Sequence, residues 1–173
     1  MLILSRFKLI KTFVFDMDGV LTDGSVIVDS ENNWLRRMNI RDGYALQLAV
    51  KSGFGVMVIS GSNSTYVHSR LNQLGINDVY MDVKNKEVFL KNITHKKRID
   101  LNDLLYMGDD IPDYQCMKIA GLAACPSDAA FEIREMASYI SPLAGGQGCV
   151  RDVIEKVLKL NNKWTLQNNI AST

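Results

Sequence analysis

In residues 11–24, KTFVFDMDGVLTDG, a run of apolar β-formers, Phe13 to Phe15, stops on two carboxylates, Asp16 and Asp18. A strand that is apolar at every position, rather than at every second one, belongs in a parallel sheet covered on both faces. Parallel neighbours need long crossover connections, so such a strand commits the chain to an α/β architecture. Two like charges this close oppose each other's ionisation, and burial adds to the cost. Their place at the end of a buried strand therefore needs a compensating partner.

The rest of the chain follows the commitment. Further strand runs lie at residues 56–59 (VMVI), 79–81, 104–107 (LLYM) and 122–125. Helix-period segments separate them at 44–50 and 66–74, closed by Gly53 and Gly75, then at 87–93, 114–120 and 131–136. A last amphipathic helix spans 150–160, after AGGQG. This order predicts a three-layer, doubly wound, Rossmann-like parallel sheet with right-handed crossovers. One segment departs from it. Residues 26–28, a polar turn at 29–33 and residues 34–38 read as a β-hairpin, inserted at about 25–39 between the first strand and first long helix. The spacing predicts a single domain over 1–164 with no large cap and a polar, mobile tail at 165–173.

Composition narrows the function. The 173 residues carry a net charge of +1, so no field draws the chain to nucleic acid or to an anionic membrane. Cys116, Cys125 and Cys149 form no C-x-x-C pair, and His68 and His95 have no ligand spacing, so zinc and disulfide frameworks are not indicated. The apolar N-terminus is interrupted by Arg6, Lys8 and Lys11, and no run approaches the roughly 20 apolar residues of a membrane span. The expectation is a cytoplasmic protein.

In open α/β sheets, ligands bind beyond the carboxyl ends of the strands. The first strand delivers Asp16 and Asp18 there, and the second delivers Ser60. Lys86 follows the third, and the fourth delivers Asp109 and Asp110 with Asp113 one turn on. Carboxylates without Cys or His make a hard oxygen site suited to Mg²⁺, which would stabilise Asp16 and Asp109 as anions. Lys86 and the Ser60 hydroxyl can hold phosphoryl oxygens. Asp16 can attack phosphorus, while Asp18 protonates the leaving oxygen and later activates water. Each residue alone has a plainer reading as turn, cap or surface group. Their joint order at successive strand ends is what points to phosphoryl transfer.

FVFDMDGVLTDG, VISGS, Lys86 and YMGDDIPD together resemble the four motifs of the haloacid dehalogenase superfamily. Within it, NIRDGYALQLAVKSG, LYMGDDIPDYQCM and AGGQGCVRDVIEKVL are similar to the 3-deoxy-D-manno-octulosonate 8-phosphate (KDO 8-phosphate) phosphatases, over roughly residues 11–164. The resemblance implies Asp16 as nucleophile and as Mg²⁺ ligand, with Asp109 and the backbone carbonyl of Asp18 completing the protein ligands. It implies Asp18 as general acid/base, Ser60 with Gly61 as phosphate binders and Lys86 as charge stabiliser. Asp110 and Asp113 would serve the metal's water shell or orient Lys86. It further implies a homotetramer built through the hairpin, with a neighbour's C-terminal segment near 145–151 helping to close the site.

The reaction so implied is hydrolysis of a small sugar phosphate, KDO 8-phosphate, through an aspartyl-phosphate, in lipopolysaccharide precursor synthesis. Many relatives carry arginine where this chain has Ser62, and again where it has Gln147; Arg41 and Arg151 are then the candidates for the substrate carboxylate. A nine-carbon sugar acid 9-phosphate is the alternative substrate, and a non-catalytic oligomerisation module the distant alternative. A signalling receiver domain fits worse, because the third strand ends without the partner arrangement it needs.

Overall fold

The computed structural model describes residues 3–164; the expected tail at 165–173 lies outside the described residues. Six parallel strands form one sheet in the order β5-β4-β1-β6-β7-β8. They are β1 (Thr12–Phe15), β4 (Gly55–Ile59), β5 (Asp78–Tyr80), β6 (Leu104–Met107), β7 (Leu122–Cys125) and β8 (Tyr139–Ile140). A separate antiparallel pair, β2 (Ile27–Val28) and β3 (Trp34–Leu35), forms the hairpin. The helices are α1 (Ile3–Leu9), α2 (Ile40–Lys51), α3 (Thr65–Gln73), α4 (Lys86–Lys97), α5 (Tyr114–Ile119), α6 (Phe131–Met136) and α7 (Cys149–Leu160).

The alternation of side chains along a strand divides the core in two. Phe13, Phe15, Val56, Val58, Leu105, Met107, Leu122 and Ala124 face the layer that holds α1, α2 and α7. Val14, Met57, Ile59, Leu104, Tyr106, Ala123 and Cys125 face α4, α5 and α6. β1 is fully buried because it lies between β4 and β6, with a layer on each face. The chain first builds outward from β1 to β4 and β5, then returns to β6 and builds the other way. That reversal opens a crevice at the end of β1.

Two elements escape the sequence pattern. α1 turns the apolar N-terminus into core: Phe7 is buried and meets Tyr139 edge-on at 5.1 Å between ring centroids. β8 is two residues long, too short to show a period. The hairpin turn is set by Asp29, whose Oδ1 accepts from the amides of Glu31 and Asn33 and whose Oδ2 accepts from the Asn33 side chain. Its strands leave Ile27 and Trp34 63% and 58% exposed. No described helix is long and apolar enough to cross a membrane.

Candidate active site

β1 ends at Phe15, and the amide of Asp16 still donates to Met107 of β6, so the carboxylate leaves the sheet from a fixed backbone. The next residues turn sharply. Gly19 has φ of +86°, and a Cβ there would lie 2.0 Å from Asp109 Oδ2. Only glycine lets the β1 turn approach the acidic loop that follows β6.

Lys86, the first residue of α4, reaches across to this point. Its ammonium donates to Asp16 Oδ1 at 2.6 Å and to Asp113 Oδ1 at 2.8 Å. Asp16 and Lys86 are each 7% exposed and Asp113 is buried. Asp113 also accepts from the Tyr106 hydroxyl at 2.8 Å and from the amide of Asp109 at 3.3 Å. Of the two roles that the resemblance left open for Asp113, its side chain is found holding Lys86. Asp110 accepts from the amide of Ile111 and lies at the surface, where it caps its own turn.

Carboxylate oxygens of Asp16, Asp109 and Asp113 all lie within 4.8 Å of one another. Burial, and then the Asp113 charge, raise the pKa of Asp16 and of Asp109 well above the carboxylate range, so each holds its charge poorly without a further cation. Burial would lower Lys86, but the charges of Asp113 and Asp16 outweigh it and hold the lysine cationic. One ammonium cannot neutralise three carboxylates. The surplus charge and the all-oxygen donor set fit a small divalent cation such as Mg²⁺.

Asp18 stands apart from that group. Its carboxylate accepts from Arg36 Nε at 2.7 Å and Nη2 at 3.2 Å, from Ser62 Oγ at 2.7 Å and from Thr22 Oγ1 at 3.3 Å. Ser60 is buried at the end of β4, with its Oγ 3.2 Å from Ser62 Oγ and accepting from the Ser62 amide. Gly61 is exposed beside it. The structure therefore brings Asp16, Lys86, Asp109 and Asp113 into one network and joins Asp18 to Ser60 through Ser62.

Arg41 and Arg151 are elsewhere. Both line a cavity of about 470 Å³ with Gln147, Asp152 and Glu155. The Arg151 guanidinium donates to Glu155 at 3.1 Å and lies 5.1 Å from the Trp164 ring centroid. The 145–151 segment is built into its own chain. A Cβ on Gly145 would lie 2.0 Å from the Gly19 carbonyl oxygen, and the Gly146 amide donates to Val20 at 2.9 Å. Its glycines brace the turn that carries Asp16 and Asp18 in the same molecule.

Sequence reasoning missed Arg36 and Tyr106. The tyrosine had a signal: a hydroxyl inside an otherwise apolar buried strand must find a partner. Arg36 had none, because its contact with Asp18 exists only once the hairpin has folded back.

The comparisons agree with this geometry. The family model for haloacid dehalogenase-like hydrolases matches residues 60–151. The 3-deoxy-D-manno-octulosonate 8-phosphate phosphatase of Escherichia coli K12 is 31% identical over 161 residues, covering 93% of this chain and 86% of that protein. The crystal structure of the corresponding phosphatase from Yersinia pestis superposes with a TM-score of 0.90 at 28% identity, covering 93% of this chain and 87% of that one. That from Moraxella catarrhalis, in complex with magnesium, phosphate and KDO, gives 0.89 at 34% identity and covers 92% of both chains. The chain belongs to the haloacid dehalogenase-like hydrolases, in the 3-deoxy-D-manno-octulosonate 8-phosphate phosphatase family, and is a phosphoric monoester hydrolase.

Proposed function

We propose that the chain hydrolyses KDO 8-phosphate to the free sugar acid and phosphate through an aspartyl-phosphate on Asp16. The observation that carries the reading is the Lys86 network, which fixes the Asp16 carboxylate at the sheet edge between two further acids. Asp16 attacks phosphorus as the bond to the sugar oxygen breaks. Asp18 gives that oxygen its proton, then takes one from the water that attacks the acyl phosphate, and Asp16 is freed as phosphate leaves. Lys86 neutralises charge on the transferred group, and the Ser60 hydroxyl with the Gly61 amide orients it. Mg²⁺, held by the Asp16 and Asp109 carboxylates and the Asp18 backbone carbonyl, would supply electrostatic stabilisation of the phosphoryl oxygens.

The exposed apolar face of the hairpin supports assembly through copies of the same hairpin, as a homotetramer. The enclosed cytoplasm, where sugar phosphates are made and used, is the compartment this activity fits.

A kcat/KM panel with Mg²⁺ tests the substrate. It should contain KDO 8-phosphate, a nine-carbon sugar acid 9-phosphate, hexose phosphates and an aryl phosphate. KDO 8-phosphate should lead by at least about tenfold, the worth of one good polar contact. A lead by the nine-carbon acid or a hexose phosphate refutes the substrate. Turnover that survives both EDTA and Asp16→Asn refutes the chemistry.

A further inference from the structure

We propose that Arg36 is the positioning residue for the proton-transferring carboxylate of Asp18. This rests on the reading of Asp18 given above. Arg36 follows β3 on a hairpin whose apolar residues are open to solvent, yet its own side chain is 2% exposed. It is turned inward onto Asp18 as a two-pronged fork, Nε to Oδ1 and Nη2 to Oδ2. A planar guanidinium paired this way fixes the carboxylate's rotation as well as its position.

The remaining donors complete the clamp. Thr22 Oγ1 shares Oδ1, and Ser62 Oγ shares Oδ2 while receiving a second Arg36 bond at 3.3 Å. Ser62 Oγ is also 3.2 Å from Ser60 Oγ, so the clamp ties the proton carrier to the hydroxyl that orients phosphate. An antiparallel bridge between Thr22 and Met38 pins the hairpin to the same turn, two residues beyond Arg36. The Asp18 side chain keeps 32% of its surface, open to an incoming sugar oxygen, whereas the guanidinium has almost none. Arg36 therefore acts through Asp18 and not on the substrate.

The consequence depends on the leaving group. A sugar alkoxide departs only with a proton, whereas nitrophenolate departs as a stable anion. Arg36→Met should lower kcat for the sugar phosphate by ~10²-fold, the scale of a lost general acid, with KM nearly unchanged. The first-turnover release of nitrophenolate from nitrophenyl phosphate should change by less than about threefold, since that step draws little on acid catalysis. Arg36→Lys should recover part of the loss, and Ser62→Ala should shift the two substrates in the same sense but less, without touching the hairpin. Asp18→Asn is the reference. If it shows the split between substrates and Arg36→Met does not, the positioning role fails and the assignment of Asp18 stands. If Asp18→Asn shows no split, the assignment fails and the role with it. An equal fall for both substrates in Arg36→Met and Ser62→Ala, or a rise in KM alone, also overturns the proposal.

Discussion

Asp42 offers a quantitative test of the packing beside the site. It lies in the first turn of α2 and is 2% exposed, pressed against the start of α7. Its Oδ1 accepts from the Arg151 amide at 2.7 Å, while Oδ2 has no hydrogen-bond partner and the backbone of Gly148 lies close enough to favour the anion. Burial raises its pKa from 3.8 to about 6, against the opposing pull of those backbone groups and of the Arg151 charge. The folded state thus holds this proton more tightly than the unfolded chain. The sign follows: the stabilisation is full below about pH 4 and is lost as pH rises through about 6. A shift of roughly two units corresponds to about 3 kcal/mol. Asp42→Asn keeps the acceptor at Oδ1 and removes the charge. The stability of the variant relative to the parent should therefore be about 3 kcal/mol more favourable at pH 8 than at pH 4. Urea unfolding followed by circular dichroism across that range, with EDTA present throughout, measures the difference directly. A difference that is flat with pH, or a variant that loses ground at pH 8, would mean that the α7 N-terminus holds Asp42 as an anion and that burial does not decide its state.

Two further outcomes follow from close approaches and exposed surface. Gly19→Ala must both strain a residue at φ +86° and displace Asp109, because the new Cβ would fall 2.0 Å from Oδ2. Thermal melting should show a cost of about 1–3 kcal/mol and turnover should fall by far more than that loss of folded protein explains; near-parental kcat would refute the packing. Trp34→Asp places a charge on the exposed hairpin face and should dissociate the proposed homotetramer in sedimentation velocity; a parent that sediments as a monomer, or an unchanged coefficient in the variant, refutes assembly through the hairpin.

The parts of the fold legible in the sequence are those in which local pattern and position in the sheet coincide. β1, β4, β6 and β7 are almost continuously apolar because each is flanked on both sides and buried along nearly its whole length. Asp16, Ser60 and Asp109 could be placed for the same reason, since a residue just past a parallel strand has only one edge to occupy. Lys86 needed the additional inference that a helix begins where the third strand's loop ends. Arg36 could not be placed, since a two-residue strand carries too little periodicity to say which way an arginine beyond it will turn. Arg41 and Arg151 were legible as charges near glycine-rich segments, but that both line one cavity with Glu155 depends on how α2 and α7 pack together. The apolar N-terminus gave no helix signal for a different reason: with Arg6 and Lys8 facing outward and Phe7 inward, the seven residues of α1 are too short to show a clear period.

The glycine loop before α7 also bears on how the protein is made. Every acid, hydroxyl and lysine of the site has been synthesised by residue 113, yet the turn that carries Asp16 and Asp18 is held by Gly145, by the Gly146 amide bonded to Val20 and by the Cys149 thiol bonded to the same carbonyl. These contacts span more than a hundred residues of chain, so closing them costs more loop entropy than a local turn does. A growing chain therefore carries a complete set of reactive groups long before it has a working site. A chain ending before residue 149 would carry every one of those groups but would lack the Cys149 bond to Val20 and the α7 face that packs against α2.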